Sequence, residues 1–220
     1  MNVGKCEYLV VGSDIVENLP LEDGEVKGVR RAKYLGVIFD KSGSSVVEIE
    51  ERIQKERKVT RAFNFVWWDR GVSKKTKKRI YKSMVQSVVL YGLEVWELKQ
   101  RNTGKLLATE MDVLRRSCRK TRLDRVRNED IRREMEVEGD IIDEVQRKQL
   151  VWFGYINRME EGRLPRQVMN WVPPWRKKRG RPRRSWRMGI QEAMATRGLE
   201  IGDCADRQLW KLGAERRREL

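Results

Sequence analysis

The chain has 220 residues, 39% of them hydrophobic, with a formal charge of +16, a pI near 10 and a mean hydropathy of −0.73. That length suits one ordinary domain or two small ones, and the hydrophobic share can supply a core, so disorder throughout is excluded. The charge is silent on fold, but it points to a polyanionic partner whose affinity falls with salt.

Three widely spaced cysteines, Cys6, Cys118 and Cys204, argue against a secreted disulfide framework and for a reducing compartment. With no histidine and no cysteine cluster, no structural zinc site is expected. The amino terminus lacks a basic n-region and a small-residue cleavage site, so it does not read as a signal peptide. The most apolar window, Met84 to Leu98, is interrupted by Gln86, Glu94 and Glu97 and falls short of the about 20 apolar residues a bilayer span needs. The expectation is a soluble intracellular protein, nuclear or cytoplasmic, with no membrane partner.

In chain order, Glu7 to Val11 is rich in strand formers and stops at Gly12-Ser13-Asp14. Pro20 to Gly24 has turn chemistry, and Ala32 to Phe39 is a second strand-forming run. This amino-terminal module is slightly acidic, with seven carboxylates against five cations up to Asp40, so the positive charge lies downstream. Ser45-Val46-Val47-Glu48 has the form of a capping box, and Val46, Ile49 and Ile53 recur at helical spacing, which predicts a helix from Ser45 to about Trp68. A second helix is predicted from Ser73 to Leu98. Ile80, Met84, Val88, Tyr91, Val95 and Leu98 form one stripe; Tyr81, Val85, Val89 and Trp96 form another. Apolar on two sides, it is the expected central core helix. Further helices are predicted over 102–120, near 129–135, and from Asp140 through Trp152, Ile156 and Met159, with Gly162 and Pro165 as an interruption. Two short ones follow, over 185–197 and 203–218.

From Arg52 to Lys82 there are twelve cations and only Glu56 and Asp69 as acids. Lys55, Arg57, Lys58, Arg61, Lys74, Lys75, Lys77, Lys78 and Arg79 are therefore candidate phosphate contacts, against the plain alternative of a solvated helical face. The most basic window runs from Trp171 to Arg187. It holds Arg176, Lys177, Lys178, Arg179, Arg181, Arg183, Arg184 and Arg187, with no acid among seventeen residues. Its mutual repulsion, three prolines and one glycine predict an exposed, largely extended stretch. Within it, Lys178-Arg179-Gly180-Arg181-Pro182-Arg183-Arg184 resembles an AT-hook, whose arginines enter a narrow minor groove. A nuclear-import signal or a general phosphate-binding loop fits the same residues. Trp171, Trp175 and Trp186 around it either stack on bases or anchor the loop to the helical body. For Trp186, next to a helix start, anchoring is the expectation.

No phosphate-cradling or dinucleotide glycine motif is present, and without histidine there is no imidazole-based triad. The carboxylates Glu48, Glu50, Glu51, Asp130, Glu134 and Glu136 alternate with cations in the manner of solvated ion pairs rather than a metal set.

Several segments together resemble the carboxy-terminal part of reverse transcriptases from non-LTR, LINE-type retrotransposons. Asn2-Val3-Gly4-Lys5-Cys6-Glu7-Tyr8-Leu9 is similar to the segment that ends the palm, and Tyr34-Leu35-Gly36 to the start of the primer-grip hairpin. Leu90-Tyr91-Gly92-Leu93-Glu94-Val95-Trp96 resembles a thumb segment. Asp124-Arg125-Val126 with Asn128-Glu129, then Trp152-Phe153-Gly154-Tyr155 with Asn157-Arg158-Met159, and Gly180-Arg181-Pro182-Arg183 with Trp186 follow in the family's order. Leu93 and Tyr155 stand where the family usually has cysteine and histidine.

The resemblance implies that the polymerase aspartates would fall before Met1. Lys5, which matches a proposed general acid, then has no metal-bound substrate to act on. Magnesium serves the intact family polymerase; here no cofactor is expected. The implied fold is α+β and mostly α, with short amino-terminal β-hairpins followed by a thumb-like helical bundle and a basic helical tail. The expected divisions are a palm remnant and primer-grip hairpins over 1–43, a thumb-like bundle over 44–122, a helical region over 123–170, and a basic loop with terminal helices over 171–220. The function implied is non-catalytic binding of RNA or DNA. A structural or interaction protein, or a fragment with no selected activity, is the alternative, and an AT-hook-like minor-groove binder is another.

Overall fold

Strand-forming residues at the amino terminus make five short strands and not two long ones. The structure, a computed structural model, describes residues 6–12, 17–21, 24–172 and 184–216. Strand β1 (Glu7–Tyr8) pairs in parallel with β3 (Gly24–Gly28), and β2 (Leu19–Leu21) pairs antiparallel with β3, giving the order β1-β3-β2. The run expected as one strand over 32–39 folds back on itself: β4 (Arg31–Tyr34) and β5 (Val37–Asp40) form a hairpin with Tyr34 opposite Val37. Leu35 (φ 48°) and Gly36 (φ 81°) make its two-residue turn, the positive-φ pair that a right-twisted hairpin requires.

Helix α1 (Val46–Ala62) begins where predicted, but the capping box does not form. Glu48 turns inward, accepting from the Ile38 amide at 2.7 Å and from Arg52 Nε at 2.5 Å. A cap is worth about 1 kcal/mol; leaving a strand amide and a buried guanidinium without an acceptor costs more. The helix stops at Phe63 and restarts as α2 (Asn64–Trp68), which buries Trp67 and lets its Nε1 donate to the Thr60 carbonyl at 2.9 Å.

The second predicted helix is shorter and faces the other way. It comprises α3 (Lys74–Ile80), a π-helical turn (Tyr81–Gln86) and α4 (Ser87–Val89), and ends at Leu90 because Gly92 (φ 74°) takes the left-handed conformation that stops helices. Tyr81, Val85 and Val89 are buried, whereas Met84, Tyr91 and Val95 of the other stripe lie about half exposed. Both stripes are apolar, so packing partners decide between them. Tyr81 and Val85 pack with Val66, Trp67 and Val113, while Val89 joins Ile49, Ile53 and Leu106.

The hub is α5 (Gln100–Ser117), not this helix. Leu106 of α5 packs with Ile49, Ile53, Val89 and Trp96, Val113 with Trp67 and Tyr81, and Met111 and Leu114 with Ile131 and Met135 of the α6 region (Asn128–Glu134). Helix α7 (Ile141–Asn157) opens on the predicted Asp140, whose carboxylate caps Ile142 and Asp143 in a formed capping box. Its first half completes the Leu106 cluster through Ile141, Ile142 and Val145. Its second half, through Leu150 and Phe153, founds another cluster with α9 (Trp186–Ala195) and α10 (Arg207–Glu215). Pro165 does not interrupt a helix; it sits in the first turn of a new short one, α8 (Leu164–Asn170), where its missing N–H costs nothing. The last helix takes Asp206 as its cap, and the predicted start at Asp203 belongs to a preceding 3-10 turn (Ile201–Ala205). The protein is thus α+β and mostly helical. No helix among the described residues is long and apolar enough to cross a membrane.

Candidate nucleic-acid interface

The sequence of α3, KKTKKRI, places Lys77 on the side of the helix that faces the core, and its ammonium is not available to a ligand. Lys77 is 3% exposed and donates to the carbonyls of Trp67 (2.7 Å), Asp69 (2.8 Å) and Ser117 (3.3 Å). Burial pushes its pKa down, and Arg119 adds repulsion. Its expected role as a phosphate contact is therefore corrected to that of an internal strut tying α2 and the end of α5 to α3. Two neighbours are engaged as well. Lys74 pairs with Glu134 at 3.0 Å; Lys78 donates to the Glu136 carbonyl at 3.0 Å and lies 3.7 Å from its carboxylate. Lys75 and Arg79 are exposed, and their side chains make no ion pair or hydrogen bond among the described residues.

On α1, Lys55 pairs with Glu51 at 3.3 Å, while Arg57, Lys58 and Arg61 are exposed. Arg57 and Arg61, one helical turn apart, line a recess of about 240 Å³ between α1 and α5 together with Arg116 and Arg122. Arg116 is held by Asp112 (3.0 Å) and Asn64 (2.8 Å); Arg61 and Arg122 have no such partner among the described residues. Arg116 and Arg122 were not singled out from the sequence. Their signal was present, since Arg115 to Arg127 carries seven cations against one acid, Asp124. Arg115 itself is structural, donating to the Val126 carbonyl and Asn128 Oδ1, both at 2.8 Å. Asp124 accepts from the Thr121 amide at 2.6 Å and from its hydroxyl, and these bonds hold its carboxyl below the usual range.

Beneath the recess lies Glu56, 2% exposed, accepting from the Thr60 hydroxyl at 2.5 Å. Burial pushes its carboxyl up to about 7; Asp112 pushes the same way, while the Thr60 bond, Arg57 and Arg116 oppose it. A carboxyl harder to ionise when folded contributes stability that is complete below its ordinary value of 4.5 and is lost as pH rises through about 7. Glu56→Gln is expected to abolish this loss, gaining on the wild type up to about 3 kcal/mol at pH values above the window. Urea unfolding of both proteins across that pH range checks it; parallel pH profiles would refute the buried acid.

The basic loop is described only at its foot. Arg176, Lys177, Lys178, Arg179, Arg181 and Arg183, and with them the AT-hook-like core and Trp175, lie outside the described residues. Arg184 pairs with Glu192, and Arg187 is exposed on the first turn of α9. Trp186 is an anchor: its Nε1 donates to the Glu94 carbonyl at 2.8 Å and its ring packs on Phe153.

Tyr34, Leu35 and Gly36 form the hairpin tip, exposed but fixed to the helices. The Tyr91 hydroxyl donates to the Leu35 carbonyl at 2.7 Å, Arg52 Nη2 donates to the Gly36 carbonyl at 2.6 Å, and the Arg52 guanidinium lies 4.5 Å over the Tyr91 ring. The segment Trp152 to Met159 is also explained locally. A Cβ on Gly154 would come within 2.2 Å of Trp210 Nε1, so only glycine lets α10 pack this closely, and Arg158 donates to the Cys204 carbonyl at 3.0 Å. No group of three or more metal-ligating side chains occurs among the described residues.

No family model matches the chain, and no solved structure matches it. It is similar to a Caenorhabditis elegans protein described as an uncharacterized transposon-derived protein, with 25% identity over 211 residues that cover 91% of this chain and 74% of that one. The finding accords with a transposon-related origin.

Proposed function

We propose that this protein is a nucleic-acid-binding derivative of a non-LTR retrotransposon reverse transcriptase and that these 220 residues do not themselves polymerise. The observation that carries the reading is the α1–α5 recess, where Arg57, Arg61 and Arg122 line one surface beside Glu56 and Asp112 and none of the three arginines forms an ion pair among the described residues. An arginine outside any ion pair among the described residues, in a chain of charge +16, is poised for phosphate, to which it presents a planar fork of donors. Lys58, Lys75, Arg79 and Arg187 extend the contact surface. Sequence is read little by such a surface, because phosphate contacts position without specifying. The similarity to a transposon-derived protein and the ordered series of reverse-transcriptase-like segments support the origin. The family's polymerase aspartates match no residue of these 220.

Fluorescence anisotropy with labelled RNA and DNA duplexes tests the proposal. Affinity is expected to fall by orders of magnitude between about 50 and 200 mM salt. The triple substitution Arg57→Ala, Arg61→Ala, Arg122→Ala is expected to lower the log–log salt slope by roughly three. Absence of binding at low salt would favour an interaction protein without nucleic acid, and a triple variant that binds like wild type would overturn the recess as the contact surface. Primer extension by this chain with magnesium would overturn the non-catalytic half.

A further inference from the structure

Trp186, beside the basic loop, is committed as an anchor, but a different aromatic pair is placed for stacking. Trp152 and Tyr155, one turn apart on α7, stack on each other with ring centroids 5.8 Å apart and planes 29° apart. They line an open groove of about 740 Å³ between α7 and α10, and Tyr155 is 54% exposed. Across the groove α10 contributes Arg207 and Lys211, again one turn apart, exposed and with no side-chain ion pair or hydrogen bond among the described residues. The opposite wall cannot collapse onto the rings. Trp210 is committed inward, its Nε1 donating to the Leu150 carbonyl at 2.8 Å, and it is locked against Gly154.

We infer that this groove is a single-strand site, in which one unstacked base lies on the Tyr155 ring and the flanking phosphates meet Arg207 and Lys211. This rests on the nucleic-acid reading above and narrows it. An exposed ring facing cations one helical turn apart offers a base and its backbone what each needs: a π-face for the one, positive charge for the other. A duplex keeps its bases stacked and presents no free face, so the groove selects single strands irrespective of sequence. Arg158 is not counted among the contacts, since it is already tied to the Cys204 carbonyl, and Lys148 lies 3.9 Å from Glu94.

The test compares oligo(dT) and oligo(U) with a duplex by anisotropy, using wild type, Tyr155→Ala and Tyr155→Phe. Tyr155 is largely exposed, so both variants should fold, which circular dichroism verifies. Tyr155→Ala is expected to weaken single-strand binding about tenfold and leave duplex affinity unchanged, while Tyr155→Phe retains both. Arg207→Ala with Lys211→Ala is expected to flatten the salt dependence of single-strand binding by about one to two contacts. Equal losses on duplex and single strand, or no loss on either, would overturn the inference. Duplex binding without single-strand binding would sink this site alone and leave the broader function standing. Binding to neither would sink both.

Discussion

Replacing Lys77 by methionine is expected to cost about 3 kcal/mol or more of stability while leaving nucleic-acid affinity per folded molecule unchanged. Methionine keeps the volume and the apolar stem but removes the one donor serving three carbonyls, those of Trp67, Asp69 and Ser117. Two of these belong to the end of α2 and the turn after it, and the third to the last turn of α5, where no helical amide is free to replace the ammonium. The penalty is therefore that of several buried acceptors left unmade, not of one lost ion pair. Chemical denaturation should show a lower midpoint with little change in slope. Weakened binding in a protein of normal stability would return Lys77 to the contact surface.

Glu110→Ala is expected to be of similar size, about 3–5 kcal/mol. Glu110 is 3% exposed and accepts from Arg132 Nη2 at 2.5 Å, from the Tyr81 hydroxyl at 3.3 Å and from the Ile141 amide at 3.3 Å. It thereby joins α5 to the π-helical turn, to α6 and to the start of α7. Burial raises the pKa of its carboxyl despite Arg132, and raises that of Tyr81 well above the usual phenol value, with Glu110 adding to the rise. Alanine would leave Arg132 half buried without its acid and two donors without an acceptor. The loss should be partly recovered in the double variant Glu110→Ala with Arg132→Met, because removing both charges removes the desolvation that only their pairing offsets. Additive losses in that cycle would show that the two side chains do not act together.

What could be read along the chain follows from how local each cause is. The Asp140 cap and α7 were legible because a capping box and a 3.6-residue repeat are complete within a few residues. So was the Ser185 cap of α9, whose side chain accepts from Met188 N. The Ser45 box has the same local form and failed, because Glu48, besides pairing with Arg52 one turn on, accepts from the Ile38 amide of a strand that the helix pattern does not announce. Two apolar stripes on one helix made its buried face undecidable locally. The contacts of Tyr81 and Val85 with α2 and α5 chose the stripe, and Gly92 cut the helix before Val95 and Leu98 could join it.

The candidate interface divides in the same way. Composition alone determined that the chain is strongly basic and suits a polyanion, since net charge is a sum that does not depend on folding. Which cations remain available is a property of neighbours. Lys77 turned inward, Lys74 and Lys78 met Glu134 and Glu136, and Arg57 and Arg61 were brought to Arg122 of the turn that follows α5. Trp186, next to the most basic stretch, is the anchor expected, and Tyr155, noted along the chain only where the family usually has histidine, became the exposed ring. Only tertiary structure could make these assignments, because whether a charge or an aromatic face is left over depends on what packs against it, and those partners lie 8 to 92 residues away.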